Sequence, residues 1–84
     1  MNIQDKMQAF MSYFHKYTHY QIICYQYNAI GQYVNMEIWD EFHKAGIWAT
    51  VTEEYLKQEN YEKITNMIVE YMHREEIRIY GYIR

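Results

Sequence analysis

The chain has 84 residues and a formal net charge of −3, with 50% hydrophobic and 23% charged residues. That length fits one domain and excludes two, and an aromatic content of 19% beside so few charges excludes an intrinsically disordered chain. No apolar run approaches the roughly 20 residues of a transmembrane helix, so no membrane partner is expected.

The hydrophobic half is unusual in kind. It includes eleven Tyr, only one Leu (Leu56) and no Pro among the 84 residues. The mean hydropathy is accordingly −0.58. Met1-Asn2-Ile3-Gln4-Asp5-Lys6 lacks a basic stretch followed by an apolar one, so no secretory signal is expected. The single cysteine, Cys24, cannot form an internal disulfide. A secreted domain this small usually relies on one, which points to the cytoplasm.

In chain order, the first element is a helix over 3–17. Ile3, Met7, Phe10, Met11, Phe14 and Tyr17 fall on one face at spacings of three and four, and Asn2 is placed to cap it. Segment 20–35 has two readings. Tyr20, Ile23, Tyr27, Ile30 and Val34 make a helical stripe, but one rotated far from the first. The preferred reading is a hairpin: Gln21 to Tyr27 as a strand, a turn at Asn28-Ala29-Ile30-Gly31, and a second strand over 32–36. Residues 37–45 read as a short helix with Ile38, Trp39 and Phe42 on its apolar side and Ala45-Gly46 as its stop. Ile47 to Val51 is an extended connection. A long helix over about 53–73 follows, capped by Thr50 or Thr52, with a break near Asn60. Over 76–84 the period changes to strict alternation, which predicts a strand with Ile77, Ile79 and Ile83 on one face. Its partner would be Tyr20–Tyr27 or a second copy of the chain. The expected class is α+β: two main helices and a short one packed on a small antiparallel sheet that includes strand 76–84. The alternative is a mostly helical chain with a C-terminal strand.

Charge is uneven. Residues 37–62 carry Glu37, Asp40, Glu41, Glu53, Glu54, Glu59 and Glu62 against Lys44 and Lys57, while both flanks are slightly basic. No Lys/Arg cluster of the kind that reads phosphate is present. A helix–turn–helix over 37–45 and a helix from Thr52 would offer Glu53, Glu54, Glu59 and Glu62 to DNA, the wrong sign. Nucleic acid is therefore not expected as a partner. A DNA-binding regulator contacting through Arg74, Arg78 and Arg84 stands as the alternative.

Chemistry-bearing groupings are sparse. His15-x-x-x-His19 has the spacing of a two-histidine zinc face, with Cys24 and His43 available to complete four ligands. Two solvent-facing histidines are the preferred reading, so no cofactor is expected and a zinc-stabilised module is the minor alternative. Glu37, Asp40, Glu41 and His43 read as a solvated helix face. Ser12 has no base at helical spacing, and Cys24 lies in an apolar run that favours a packed thiol. No enzymatic activity is expected.

Tyrosine is the informative residue. Tyr and Trp dominate binding hot spots because they offer rigid area with a polar tip. Tyr17, Tyr61 and Tyr71 lie on apolar stripes and are expected in the core. Tyr13, Tyr55, Tyr80 and Tyr82 do not, and Tyr80 and Tyr82 alternate with Arg78 and Arg84. The expected function is a small non-enzymatic interaction module. Its expected contact residues are Arg78, Tyr80, Tyr82 and Arg84 together with Glu37, Asp40, Glu41, Glu53 and Glu54, and it self-associates through strand 76–84. The acidic surface suits an inhibitor of a nucleic-acid-processing enzyme. Phages encode inhibitors of host defence of this size, anti-CRISPR proteins among them, though no residue pattern assigns the chain to a family.

Overall fold

The computed structural model describes residues 2–80, with side chains for 2–75. Helix α1 (Ile3–Tyr17) starts at Asn2, whose side-chain oxygen accepts the Asp5 backbone N–H at 2.9 Å. It ends at Thr18, whose backbone N–H and hydroxyl both donate to the Phe14 carbonyl, at 3.0 and 2.8 Å. Met7, Phe10 and Phe14 of the expected stripe are fully buried, whereas Tyr17, the last residue of the helix, is 60% exposed.

Three strands follow in a meander: β1 (Gln21–Asn28), β2 (Tyr33–Asp40) and β3 (Ala45–Thr52), antiparallel and in the order β1-β2-β3. The expected hairpin over 20–35 is therefore present. Both turns are built alike. At each, the last residue of the strand folds its side-chain oxygen over the turn: Asn28 accepts the Gly31 N–H at 2.7 Å, and Asp40 accepts the Phe42 N–H at 2.9 Å. Gln32 and Lys44 then close the turns at φ of 56° and 52°. At Gly31 a Cβ would lie 2.3 Å from Cε1 of Tyr33, so the first turn has room for glycine alone unless that ring moves.

The expected helix over 37–45 is not formed. Residues 37–40 complete β2, residues 41–44 are turn, and Ala45 opens β3. Val34, Met36, Ile38 and Asp40 are buried at every second position, and this period-two burial continues through the segment that Ile38, Trp39 and Phe42 mark as helical. The helix–turn–helix alternative falls with that helix. What reads as a brief connection over 47–51 is the body of β3.

The break near Asn60 is real. Helix α2 (Glu53–Lys57) is capped by Thr52, not Thr50, through the Tyr55 N–H at 3.4 Å. Glu59 turns left-handed at φ 57°. Asn60 then accepts the Lys63 N–H at 3.2 Å and starts helix α3 (Tyr61–Tyr80). Strand 76–84 is also corrected, since residues 76–80 are the last turns of α3 and 81–84 lie outside the described residues. No Pro or Gly interrupts the chain between Asn60 and Gly81. Extending an existing helix gains one hydrogen bond per residue added, so alternation of β-branched residues does not stop it. The sheet partner of β1 is β2, and residues 76–80 are helix and not a strand through which copies would pair.

The architecture is α+β, with helices on one face of the antiparallel sheet. The core joins Met7, Phe10 and Phe14 of α1, Ile22 of β1, Val34, Met36 and Ile38 of β2, Val51 of β3, Leu56 of α2, and Ile64, Ile68 and Met72 of α3. The Phe10 ring centroid lies 5.8 Å from both Phe14 and Tyr61, so α1 meets α3 through aromatic packing. Lys6 of α1 is ion-paired with Glu59 at the α2–α3 break.

Candidate binding surface

Residues opposite one another across a ladder point to the same face. The register places Cys24, Glu37 and Trp48 in one row on the side away from the helices, Gln26, Asn35 and Thr50 in the next, and Asn28, Tyr33 and Thr52 in the third. Gln21, Trp39 and Gly46 complete the face. A bulge at Ile23 shifts β1 by one residue between Ile22 and Cys24, which turns Cys24 outward while Ile22 stays in the core. Among the described residues no helix covers this outer face.

The outer face holds both tryptophans of the chain and Tyr33, with amides and hydroxyls between them. Its only charged strand residue is Glu37. Trp48 is 51% exposed. Trp39 lies over Gly46, where an added Cβ would sit 3.4 Å from the indole Cε3, and its Nε1 donates to the Glu41 carboxylate at 2.6 Å. Thr50 donates to the Asn35 side-chain oxygen at 2.6 Å, and the Asn28 amide donates to the Tyr33 hydroxyl at 3.1 Å. These links hold the polar groups in fixed positions, the preorganisation that lowers the entropic cost of docking. The Cys24 thiol donates to Glu37 at 3.7 Å. Desolvation first, and the Glu37 carboxylate second, push that thiol up from its ordinary value, so it stays protonated and a poor nucleophile.

The expected acidic contact residues do not form one patch. Glu37 is on the outer face and Glu41 in the turn beside it, ion-paired with Lys44. Glu53 and Glu54 stand beyond the far end of β3; Glu37 is level with Trp48, five strand residues or ~17 Å from Glu53. Glu53 also accepts from the Tyr27 hydroxyl at 3.1 Å and pairs with Lys57 at 3.8 Å. Asp40 is corrected outright: it is 1% exposed, accepts the backbone N–H groups of Phe42 and His43, and bonds His43 Nδ1 at 2.7 Å. It shapes the turn and cannot touch a partner. Arg78 and Tyr80 lie in α3 and not on a strand face, and Tyr82 and Arg84 lie outside the described residues.

The zinc alternative loses its helical face because α1 ends before His19. His15 Nε2 accepts the Ile22 backbone N–H at 2.9 Å, tying α1 to β1, and the His19 ring centroid lies 4.1 Å from that of Tyr20. Among the described residues, no group of three or more His, Cys, Asp and Glu is placed to hold a metal ion. Nor is any described helix long and apolar enough to cross a membrane.

Sequence reading missed Tyr33, Trp39 and Trp48 as a group. The signal is present as two alternations, Tyr33 to Trp39 and Gly46 to Thr52, that give large or polar residues at every second position. The helical spacing of Ile38, Trp39 and Phe42 hides the first, and the shortness of the 47–51 segment hides the second.

A concavity lies beside the edge of β3. It has a volume of about 440 Å³ and is lined by Trp48 to Thr52 on one side and by Tyr55, Ile64, Met67, Ile68, Tyr71 and Arg74 on the other.

No family model, curated protein or solved structure matches the chain.

Proposed function

We propose that this chain is a non-catalytic protein-binding module and that the open face of its sheet makes the contact. The supporting observation is that both tryptophans and Tyr33 stand on the uncovered face, among fixed amide and hydroxyl groups, with no lysine or arginine in that face. Large aromatic anchors ringed by hydrogen-bonding groups are the composition of binding hot spots. Glu37 and Glu41 give the face a negative end, which suits a partner with a basic surface. A nucleic-acid-processing enzyme offers such a surface in its substrate groove. On this reading the module acts as an inhibitor that occupies the groove, the mode of a phage anti-defence protein.

Affinity capture from the native host, with wild type and Trp48→Ala side by side, tests the reading. Trp48 is 51% exposed, so the variant is expected to keep the far-ultraviolet circular dichroism spectrum of the wild type. The expected result is one protein species enriched by the wild type and lost by the variant, for a hot-spot loss of about 2 kcal/mol or more. The same species at the same yield with both would sink the proposal. So would tight, salt-sensitive binding of the purified chain to duplex DNA.

A further inference from the structure

Four positions of β2 and β3 form one square on the outer face. Trp39 is opposite Gly46 and Glu37 is opposite Trp48, so the two indoles stand on one diagonal. The two rungs lie about 7 Å apart along the strands. Three corners carry large side chains and the fourth carries none. The space over Gly46 is bordered by the Glu37 carboxylate and the Trp39 ring: a Cβ added there would lie 3.4 Å from Glu37 Oε1 and 3.4 Å from Trp39 Cε3. The bond from Trp39 to Glu41 holds that ring in place, and Trp48 stands 51% exposed at the adjacent corner.

The charge of this square is unbalanced. Glu41 is paired with Lys44, Glu53 with Lys57 and Glu59 with Lys6. Glu37 is half-buried and has no cationic partner among the described residues. The one hydrogen bond its carboxylate accepts among them comes from the Cys24 thiol, at 3.7 Å and to Oε2, which leaves Oε1 beside Gly46 unused. A thiol is a weak donor, so the carboxylate has lost water without gaining a strong partner. The indoles are unmatched in the same sense. Indole is the best ring for a cation, yet the cations seated on rings among the described residues, Lys16 and Lys63, lie over Tyr17 and Tyr55.

We propose, resting on the reading that the outer face docks a protein, that this square seats an arginine side chain of the partner. A guanidinium lies flat against an indole while its N–H edge donates to a carboxylate. Over Gly46 the two groups border one gap, and the glycine presents no side chain to fill it. A lysine ammonium is more strongly hydrated and has no flat face to stack, so it gains less from the same square. Lys44, two residues from Gly46, is engaged by Glu41. The square therefore carries one uncompensated negative charge, that of Glu37, and takes one cation.

An NMR titration of the isotope-labelled full chain with N-acetyl-arginine amide tests the inference, with N-acetyl-citrulline amide as the neutral compound of the same shape. Both tryptophans of the chain are in the square, so their indole N–H resonances report on it directly. The arginine compound is expected to shift the Trp48 indole and Gly46 amide resonances severalfold more than the citrulline compound at equal ionic strength. Glu37→Gln keeps the shape of the side chain and is expected to cut the arginine-dependent shift by roughly threefold, the scale of one exposed ion pair. Equal shifts from the two compounds would overturn the inference, as would a Glu37→Gln titration that matches the wild type. Capture from the native host separates the seat from the wider reading. If Glu37→Gln holds the captured species as firmly as wild type while Trp48→Ala loses it, the arginine seat is wrong and the docking face stands. If Trp48→Ala and wild type capture alike, the docking face fails and the seat with it.

Discussion

The thiol of Cys24 donates to the Glu37 carboxylate across the β1–β2 ladder, and this pair shows how a neighbour sets reactivity at a single residue. Desolvation and then the Glu37 charge raise the thiol pKa. Glu37→Gln removes the charge but not the desolvation. The thiolate fraction at a fixed, mildly alkaline pH therefore rises, and alkylation by iodoacetamide is expected to quicken severalfold. An unchanged rate would mean that the carboxylate does not govern this thiol. Asp40 teaches a related lesson. An aspartate in an acidic stretch reads as surface charge, yet this one is buried because it accepts two backbone N–H groups and a His43 ring nitrogen at the turn. Nothing in the one-dimensional pattern distinguishes it from Glu41, its neighbour, which points to solvent and binds Lys44 and Trp39.

At the scale of elements, capping residues carry much of what was legible. Asn2 and Thr52 announce their helices, and the structure uses both, while Asn60, legible only as a break, proves to cap α3. Asn60→Ala removes the acceptor for the Lys63 N–H and is expected to cost about 1 kcal/mol in urea denaturation. A loss of only a few tenths would show that the α2–α3 break holds without its cap. The first helix, the hairpin over 20–35 and the second long helix follow from periodicity and turn chemistry. Two elements were misread for one shared reason: a short window satisfies two periods at once. Ile38, Trp39 and Phe42 fit a helix face, but Val34, Met36 and Ile38 fit a strand, and the sheet decides because β2 is its central strand. Residues 76–80 alternate like a strand, but they follow fifteen helical residues and continue them. The contact surface was hidden by the same ambiguity, since Trp39 and Trp48 share a face only once both segments are strands.

Across the whole molecule, two ion pairs, one between α1 and the α2–α3 break and one within a turn, make stability depend on acidity. The Lys6 hydrogen bond and charge lower the Glu59 carboxyl, and Lys44, followed by the Trp39 indole, lowers Glu41, both below the ordinary value of 4.5. The folded chain thus binds fewer protons than the unfolded one in this range. The added stability is fully present above 4.5 and is lost as the pH falls through the folded values. Both carboxyls face solvent, so the contribution is modest and weakened by salt. Thermal melts from about pH 6 to about pH 3 are expected to show a decline that Lys6→Met makes shallower. An equal decline in the variant would remove the Lys6–Glu59 pair from the account. The strand order has a further consequence, for the time the chain takes to assemble. Each strand pairs with its neighbour in sequence, across a turn of four residues, 29–32 and 41–44. Closing so short a loop costs little chain entropy, so both ladders can zip locally, on the microsecond scale of an isolated hairpin. The slow search is then confined to one step, the docking of α1 and α3 onto a sheet that is already laid out.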